Sequence, residues 1–231
     1  MRRERLQADV ARVCTALGED ASHAMVFGCA ALACYPLEGL EDVRRTDDVD
    51  VVFNARRMDI RLQERVARAC FDEFVGARHR FQRRLSQPEG EPPLSVDLVF
   101  RDDLSPSDDW LVDAFYHASP IVLDGVVLAL RVIPPVHFLA VKLGAALDRG
   151  REPEYEDKDI GDVVEVLAHL RGIRDVISAD SASVAVFVRD QLRRNWVDVL
   201  TDLDRMAGLL HGSAESQSRG PVVAEWVRTL V

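Results

Sequence analysis

The sequence predicts an α+β protein, with a β-sheet and its helices in the first half and a helical region in the second. Short apolar runs typical of buried strands, such as Val51-Val52-Phe53 and Leu98-Val99-Phe100, lie before about residue 134. Helical spacing dominates after that point. The 231 residues, 48% of them apolar, suit one large domain or two small ones. We therefore divide the chain into an α+β domain over residues 1–133 and a helical domain over residues 134–231.

Helices and strands alternate along the first half. Leu6, Val10, Val13 and Leu17 recur at helical spacing, which predicts a helix over residues 3–18. The pattern then predicts a strand over 25–27, a helix of small residues over 29–33, a strand over 48–53, a helix over about 56–75, and strands over about 77–84 and 94–101.

A hairpin and a series of helices complete the chain. Residues 121–133 form the hairpin, because Asp124-Gly125 favours the tight turn that joins antiparallel strands. Pro134-Pro135 introduces a helix that runs through Lys142 to about residue 148, since proline suits the first turn of a helix. Gly212–Gly220, rich in serine and glycine, is expected to be a flexible connection. Further helices are predicted over 158–171, 181–194, 196–210 and 221–230.

The composition excludes several classes of protein. No stretch approaches the roughly 20 apolar residues that a membrane-spanning helix needs, and Met1–Gln7 lack the apolar segment of a secretory signal. The four cysteines form no C-x-x-C pair, so we expect no zinc site. A net charge of −10 disfavours broad, non-specific nucleic-acid binding. We expect a soluble cytoplasmic protein without a membrane partner.

One segment departs from this acidic average. Between Arg56 and Arg84, nine arginines accompany four acidic residues, a local excess of 9 − 4 = +5. Such an excess suits contact with the phosphates of a nucleic acid. A solvated helix face followed by a polar strand edge accounts for it equally well, so both interpretations stay open.

Three aspartates in two predicted strands form the main candidate site. Asp48 and Asp50 are two residues apart in one strand, so their side chains point to the same side. Asp97 is embedded in the strand over 94–101. Three carboxylates on neighbouring strands suit Mg²⁺ and phosphoryl or nucleotidyl transfer. The alternatives are a water-exposed N-cap or strand-edge pair for Asp48 and Asp50, and a solvent-facing Asp97.

The lysines are a second, independent signal. Of 29 basic residues, only Lys142 and Lys158 are lysines. A bias towards arginine would replace lysine wherever a charge needs only to be solvated, so these two mark sites that require a compact ammonium. Chance survival is the alternative. Arg149 follows Lys142 on the same helix face.

An acidic pair lies next to Lys158. Asp159 and Asp162 are three residues apart, which places them on one face of a helix and allows both to face one cleft. The alternative is an exposed acidic first turn, which the helix dipole would favour.

The order of these motifs resembles the nucleotidyltransferase superfamily, and within it the AbiEii-type toxin nucleotidyltransferases. The resemblance covers about residues 22–171. It rests on a strand ending at Gly28, Arg-Thr-x-Asp-x-Asp over 45–50, Val-Asp-Leu-Val over 96–99, Phe-Leu-Ala-x-Lys-Leu around Lys142, and Lys-Asp-x-x-Asp over 158–162. The resemblance implies a mixed β-sheet flanked by helices, followed by a helical region that contributes Lys142, Lys158 and Asp159 to the cleft.

The resemblance also implies a role for each matching residue. The ligands of two Mg²⁺ ions are Asp48, Asp50 and Asp97. The catalytic set is Asp48, Asp50, Asp97, Lys142 and Asp159. The residues expected beside the nucleotide are Gly28, Cys29, Thr46, Lys142, Lys158 and Arg149. Cys29 departs from the second glycine or serine of the family.

The activity implied is Mg²⁺-dependent transfer of a nucleoside monophosphate from an NTP to an acceptor hydroxyl, with release of pyrophosphate. The toxin-like resemblance implies tRNA or another RNA as the acceptor and an antitoxin protein as a partner. Two alternatives remain open. One is a small-molecule acceptor of the aminoglycoside type, which the net charge of −10 suits. The other is a non-catalytic nucleotide-binding module of the same fold.

Overall fold

The computed structural model divides the chain into two compact units. Apart from the first two residues, one unit comprises residues 3–34 and 45–134 and the other comprises 35–44 and 135–231. The structure describes residues 2–44, 46, 48–55, 61–62, 64, 72–73, 81–82, 94–104, 109–149, 153–210 and 214–230, with backbone alone for 72–73, 81–82, 153–157 and 214–215. Most of the arginine-rich segment from Arg56 to Arg84 lies outside these residues.

The first unit is built on a mixed β-sheet, and the α+β prediction is confirmed. Its described strands are β1 (Ala24–Phe27), β2 (Asp48–Phe53), β3 (Asp72–Glu73), β4 (Phe81–Gln82), β5 (Ser95–Phe100), β6 (Ser119–Leu123) and β7 (Val126–Val132). They lie in the order β3-β4-β5-β2-β1-β7-β6. β2 is parallel to β5 and antiparallel to β1, and β1 is parallel to β7. β2 is therefore an interior strand.

The side chains of β2 alternate between the two faces of the sheet. Val49, Val51 and Phe53 of β2 are fully buried on one face, where Phe53 stacks on Phe100 with 5.4 Å between ring centroids. Asp48 and Asp50 occupy the opposite face because side chains alternate along a strand. The apolar run thus fixes the direction in which both carboxylates point.

Three α-helices that the structure describes from end to end accompany the sheet. They are α1 (Arg3–Leu17), α2 (Ala31–Cys34) and α3 (Asp109–His117). α1 contacts β2 and β7, and its apolar stripe is buried as predicted. The sequence reading did not anticipate α3. The helix predicted over 56–75 is confirmed at the described residues 61, 62 and 64 and wrong at 72–73, where β3 lies, and the rest of it falls outside the described residues.

The second unit is helical. Its described helices are α4 (Pro135–Asp148), α5 (Pro153–His169), α6 (Ile173–Ala179), α7 (Ser183–Gln191), α8 (Val197–Thr201), α9 (Leu203–Leu209), α10 (Ala214–Ser218) and α11 (Gly220–Thr229). A π-helical turn, Leu192–Trp196, joins α7 to α8. Among the described residues, no helix has both the length and the apolar character needed to cross a bilayer.

Two predictions in this unit are corrected. The helix predicted over 196–210 is interrupted at Asp202, whose side chain accepts hydrogen bonds from the backbone N–H groups of Asp204 and Arg205 and so begins a new helix. Gly212–Gly220 contains α10 rather than a flexible connection throughout. Ser216 of α10 is 1% exposed, so burial orders a segment whose composition suggested a linker.

Candidate metal centre

Asp48, Asp50 and Asp97 lie together on β2 and β5. The strands are parallel neighbours, and Asp50 is directly opposite Asp97 in their register. Each residue offers one carboxylate oxygen, and these three oxygens lie within 4.8 Å of one another. The sheet thus brings together the three residues that the sequence singled out.

The burial of Asp97 contradicts its solvent-facing alternative. Asp97 is 2% exposed, whereas Asp48 and Asp50 are half-buried. β2 is an interior strand of the sheet, so Asp48 and Asp50 do not form a pair at a sheet edge. A buried carboxylate is costly unless a partner or a cation compensates it.

Gly28 closes one side of this carboxylate cluster. It follows β1, in which Phe27 is the register partner of Asp50. Its φ of +62° lies in the left-handed region that favours glycine. A Cβ built on Gly28 would lie 2.0 Å from Oδ2 of Asp50, so only glycine leaves room for that carboxylate.

Thr46 contacts the cluster from the chain that enters β2. Its hydroxyl donates a hydrogen bond to Oδ1 of Asp48. The hydroxyl oxygen also lies 3.4 Å from the main-chain oxygen of Asp48. Thr46 therefore contacts the carboxylate, whereas the family resemblance placed it beside a phosphate.

The donor set fits a hard divalent cation. Every candidate ligand is a carboxylate oxygen, the type that Mg²⁺ and Ca²⁺ prefer. Three like charges this close repel one another, and a divalent cation between them relieves that repulsion. These residues could hold a metal ion.

A second cluster lies in the helical unit. Nζ of Lys142 in α4 lies 3.0 Å from Oδ1 of Asp159 and 2.7 Å from Oδ2 of Asp162 in α5. Arg149 Nη1 lies 2.5 Å from Oδ2 of Asp159. Arg44 donates to both carboxylate oxygens of Asp162 at 3.3 Å. The two helices are thus joined by buried ion pairs.

Burial and charge act in opposite directions on Asp162. Burial raises the pKa of this carboxyl. The positive charges of Lys142 and Arg44 and their hydrogen bonds lower it by more than burial raises it, so the pKa lies below its ordinary value. Asp162 is 1% exposed and Asp159 is 3% exposed. α5 begins at Pro153, so neither lies in an exposed first turn, and that alternative is wrong.

The other predicted residues are placed less centrally. Lys158 is exposed on α5, and Arg149 is exposed at the end of α4. Cys29 is 3% exposed, so its side chain is not available to a ligand at the surface. Sequence reasoning missed Arg44, because one arginine among many basic residues carries no local signal of its partner Asp162, distant in sequence.

His169 and Ser216 form a buried pair of the residue types that hydrolases use for catalysis. Nε2 of His169 lies 2.8 Å from Oγ of Ser216, and Nδ1 lies 2.7 Å from the main-chain oxygen of Glu38. The carbonyl oxygen can only accept, so Nδ1 carries a proton and donates it. Ser216 and His169 are each 1% exposed, which keeps a substrate from the hydroxyl. The group ties α10 to α5 structurally.

The comparisons with known proteins add no relative. No family model, no curated protein and no solved structure matches the chain. The resemblance to nucleotidyltransferases therefore rests on the motifs named above.

Proposed function

We propose that the protein is a Mg²⁺-dependent nucleotidyltransferase, which moves a nucleoside monophosphate from an NTP to an acceptor hydroxyl and releases pyrophosphate. One observation carries the proposal: Asp48, Asp50 and Asp97 present three carboxylate oxygens within 4.8 Å of one another on two parallel strands. Two-metal nucleotidyl transfer needs a rigid set of carboxylates of this kind.

The chain's own contribution is to position charge. Asp48, Asp50 and Asp97 would hold Mg²⁺, with Asp97 the most buried of the three. Bound Mg²⁺ would neutralise charge on the phosphates and make the acceptor hydroxyl more acidic. Strands β2 and β5 keep the carboxylates in register without any loop motion. Such preorganisation is where most of the catalytic effect of a charged site originates.

The cluster in the helical unit suits an anionic ligand. Arg44, Lys142 and Arg149 supply three positive charges against the two of Asp159 and Asp162, which leaves a net charge of +1. Lys142 and Arg149 stand at positions that the motif resemblance assigns to the nucleotide. We propose that these two residues bind phosphate while Asp159 and Asp162 hold them in place. Lys158, exposed one residue before Asp159, is the further cation proposed for this role.

RNA is the acceptor we propose, with tRNA as the first to test. The motif resemblance to toxin nucleotidyltransferases supports it, as does the arginine excess between Arg56 and Arg84. The same resemblance supports an antitoxin protein as a partner. The net charge of −10 supports a cationic small molecule instead, which makes the aminoglycoside type the second candidate.

The experiment is incubation of the protein with each α-labelled NTP, Mg²⁺ and total bacterial RNA. Asp48→Asn removes one candidate ligand charge while keeping the shape of the side chain. Asp124→Asn is the matched control, because Asp124 is exposed in the turn between β6 and β7 and asparagine tolerates its φ of 49°. Label in RNA from wild type and Asp124→Asn, but not from Asp48→Asn, is the expected result.

Other results separate the alternatives. Label that enters an aminoglycoside but no RNA supports the small-molecule acceptor. Mg²⁺-dependent NTP binding without transfer to either acceptor supports the non-catalytic module. Transfer to RNA should weaken steeply with added salt, because each contact with an RNA phosphate releases counterions. Absence of both NTP binding and transfer contradicts the proposal.

A further inference from the structure

Two residues beside the three aspartates lie in direct contact with their carboxylates. The hydroxyl of Thr46 donates to Oδ1 of Asp48. Gly28 approaches Oδ2 of Asp50 so closely that a Cβ on it would lie 2.0 Å from that oxygen. Both residues stand at positions that the family resemblance assigned to the triphosphate. Both contacts are instead made to proposed metal ligands.

The contact of Thr46 limits what else its hydroxyl can do. A hydroxyl has one proton to donate, and that of Thr46 is directed at Asp48. A phosphate oxygen also needs a donated proton, so Thr46 cannot serve both acceptors at once. The hydrogen bond fixes the rotation of the Asp48 carboxylate, which otherwise turns freely about its terminal bond.

Gly28 affects Asp50 because it has no side chain. With its left-handed φ of +62°, a Cβ at this position would point towards Asp50. Any Cβ there would displace the carboxylate from the position it holds beside Asp97, its partner in the strand register. Gly28 thus leaves Asp50 the space in which it lies beside Asp97.

We propose that Thr46 and Gly28 are positioning residues for metal binding: Thr46 orients the carboxylate of Asp48 by its hydrogen bond, and Gly28 leaves the room that Asp50 occupies. The inference rests on the proposed function, since it concerns the same three carboxylates. Residues that orient metal ligands through hydrogen bonds typically change metal affinity about 10- to 100-fold when they are replaced. An effect on metal affinity without nucleotide is therefore the signature of this role.

The test of Thr46 measures metal alone. Mn²⁺ replaces Mg²⁺ as the probe, because the electron paramagnetic resonance signal of aqueous Mn²⁺ measures the free ion, and the bound fraction follows by difference from the total. Thr46→Val removes the hydroxyl and keeps the branched shape, so we expect the Kd for Mn²⁺ to rise about 10-fold. Thr46→Ser keeps the hydroxyl and should bind Mn²⁺ like wild type. If Thr46 binds a phosphate of the NTP instead, Thr46→Val should leave Mn²⁺ binding unchanged and weaken only NTP binding.

The test of Gly28 needs a control for backbone strain. Gly28→Ala adds both a left-handed alanine and a collision with Asp50, whereas Gly18→Ala adds only the left-handed alanine. Gly18 has a φ of +56° and open space around its Cβ position. We expect Gly28→Ala to weaken Mn²⁺ binding at least as much as Thr46→Val, and Gly18→Ala to leave it unchanged. Circular dichroism confirms that each variant is folded before it is titrated.

The outcomes distinguish this inference from the function beneath it. If wild type binds Mn²⁺ but Thr46→Val and Gly28→Ala bind it equally well, the positioning roles are overturned and the metal site stands. If wild type shows no saturable Mn²⁺ binding with or without NTP, the metal site and the proposed function both fail. If Gly28→Ala unfolds, the Thr46→Val and Thr46→Ser pair still decides the role of the hydroxyl.

Discussion

Lys142 Nζ lies 2.7 Å from Oδ2 of Asp162, so the lysine that the motifs assign to a phosphate is already paired with a carboxylate. The pair is nearly closed to solvent, with side-chain exposures of 11% and 1%. Asp159 and Arg44 extend it on either side. Any phosphate that binds Lys142 does so at an ammonium held in place by these acids.

Replacing Lys142 should therefore destabilise the fold as well as affect activity. Lys142→Met keeps the length of the side chain but leaves Asp159 and Asp162 without its charge. Removing one partner of a buried pair costs about 3 to 5 kcal/mol, and we expect a loss at the lower end, about 3 kcal/mol, because Asp159 keeps Arg149 and Asp162 keeps Arg44. We expect urea unfolding to show a loss of this size. Lys158→Met, at the exposed lysine of α5, should change stability by less than about 0.5 kcal/mol.

A Lys142→Met variant as stable as wild type would contradict this structural role. Lys142→Arg offers a further comparison, because it keeps the charge but replaces a compact ammonium with a planar guanidinium. If a compact ammonium is required, Lys142→Arg should fold but lose NTP affinity. That result would support the argument from the rarity of lysine in this sequence.

Asp162 should make the protein sensitive to acid. Its pKa is lowered in the folded protein, so the folded state binds a proton less readily than the unfolded state, whose ordinary value is 3.8. The ion pairs therefore contribute fully to stability above that pH, and the contribution disappears as pH falls from 3.8 through the folded pKa. Asp162→Asn should lower stability at neutral pH and flatten the loss of stability on acidification.

The measurement is urea unfolding at a series of pH values. Asp148→Asn is the control, because Asp148 is exposed at the end of α4. We expect Asp148→Asn to follow the wild-type pH dependence below 3.8, the ordinary value for Asp162. Equal pH dependence in wild type and Asp162→Asn would mean that Asp162 is not a source of acid sensitivity.

The carboxylate cluster could be predicted from sequence because its signal is local. Asp48 and Asp50 share a strand whose alternation fixes their direction, and Asp97 interrupts an otherwise apolar strand. The parallel register that places Asp50 opposite Asp97 is set by the whole sheet and follows from no local pattern. The sequence thus predicted which residues form the cluster, and the fold determined how they are arranged.

Contacts distant in sequence were beyond prediction for the same reason. Arg44 binds Asp162, 118 residues later, and neither position carries a mark of the other. The close approach of Gly28 to Asp50 depends on the antiparallel pairing of β1 with β2. Ser216 lies in a segment whose polar composition favours a flexible chain, yet its burial against His169 makes it helical.

Ser216 should stabilise the helical unit through His169. Ser216→Ala removes the hydroxyl partner of the buried Nε2 of His169 and leaves Oε2 of Glu165, 3.3 Å away, as its neighbour, which should cost about 1 kcal/mol. Ser178→Ala is the matched control, because it removes a serine hydroxyl that accepts from the Trp226 ring at the surface. That change should cost less than about 0.5 kcal/mol. Thermal unfolding of both variants tests the difference, and equal losses would contradict it.

Asp48→Asn should separate stability from metal binding. In the absence of metal, the substitution removes one of three carboxylate charges whose oxygens lie within 4.8 Å, and relief of repulsion should stabilise the fold by about 1 kcal/mol. The amide oxygen can still accept the hydrogen bond of Thr46, so the local structure is retained.

Mg²⁺ should raise the melting temperature of wild type, because a ligand that binds only the folded state stabilises it, but should leave the melting temperature of Asp48→Asn unchanged. Differential scanning fluorimetry with and without Mg²⁺, with Asp124→Asn as the control, measures both effects. If Asp48→Asn melts below wild type without metal, the repulsion is already compensated within the protein. If Mg²⁺ raises the melting temperature of wild type and Asp48→Asn equally, the metal binds elsewhere.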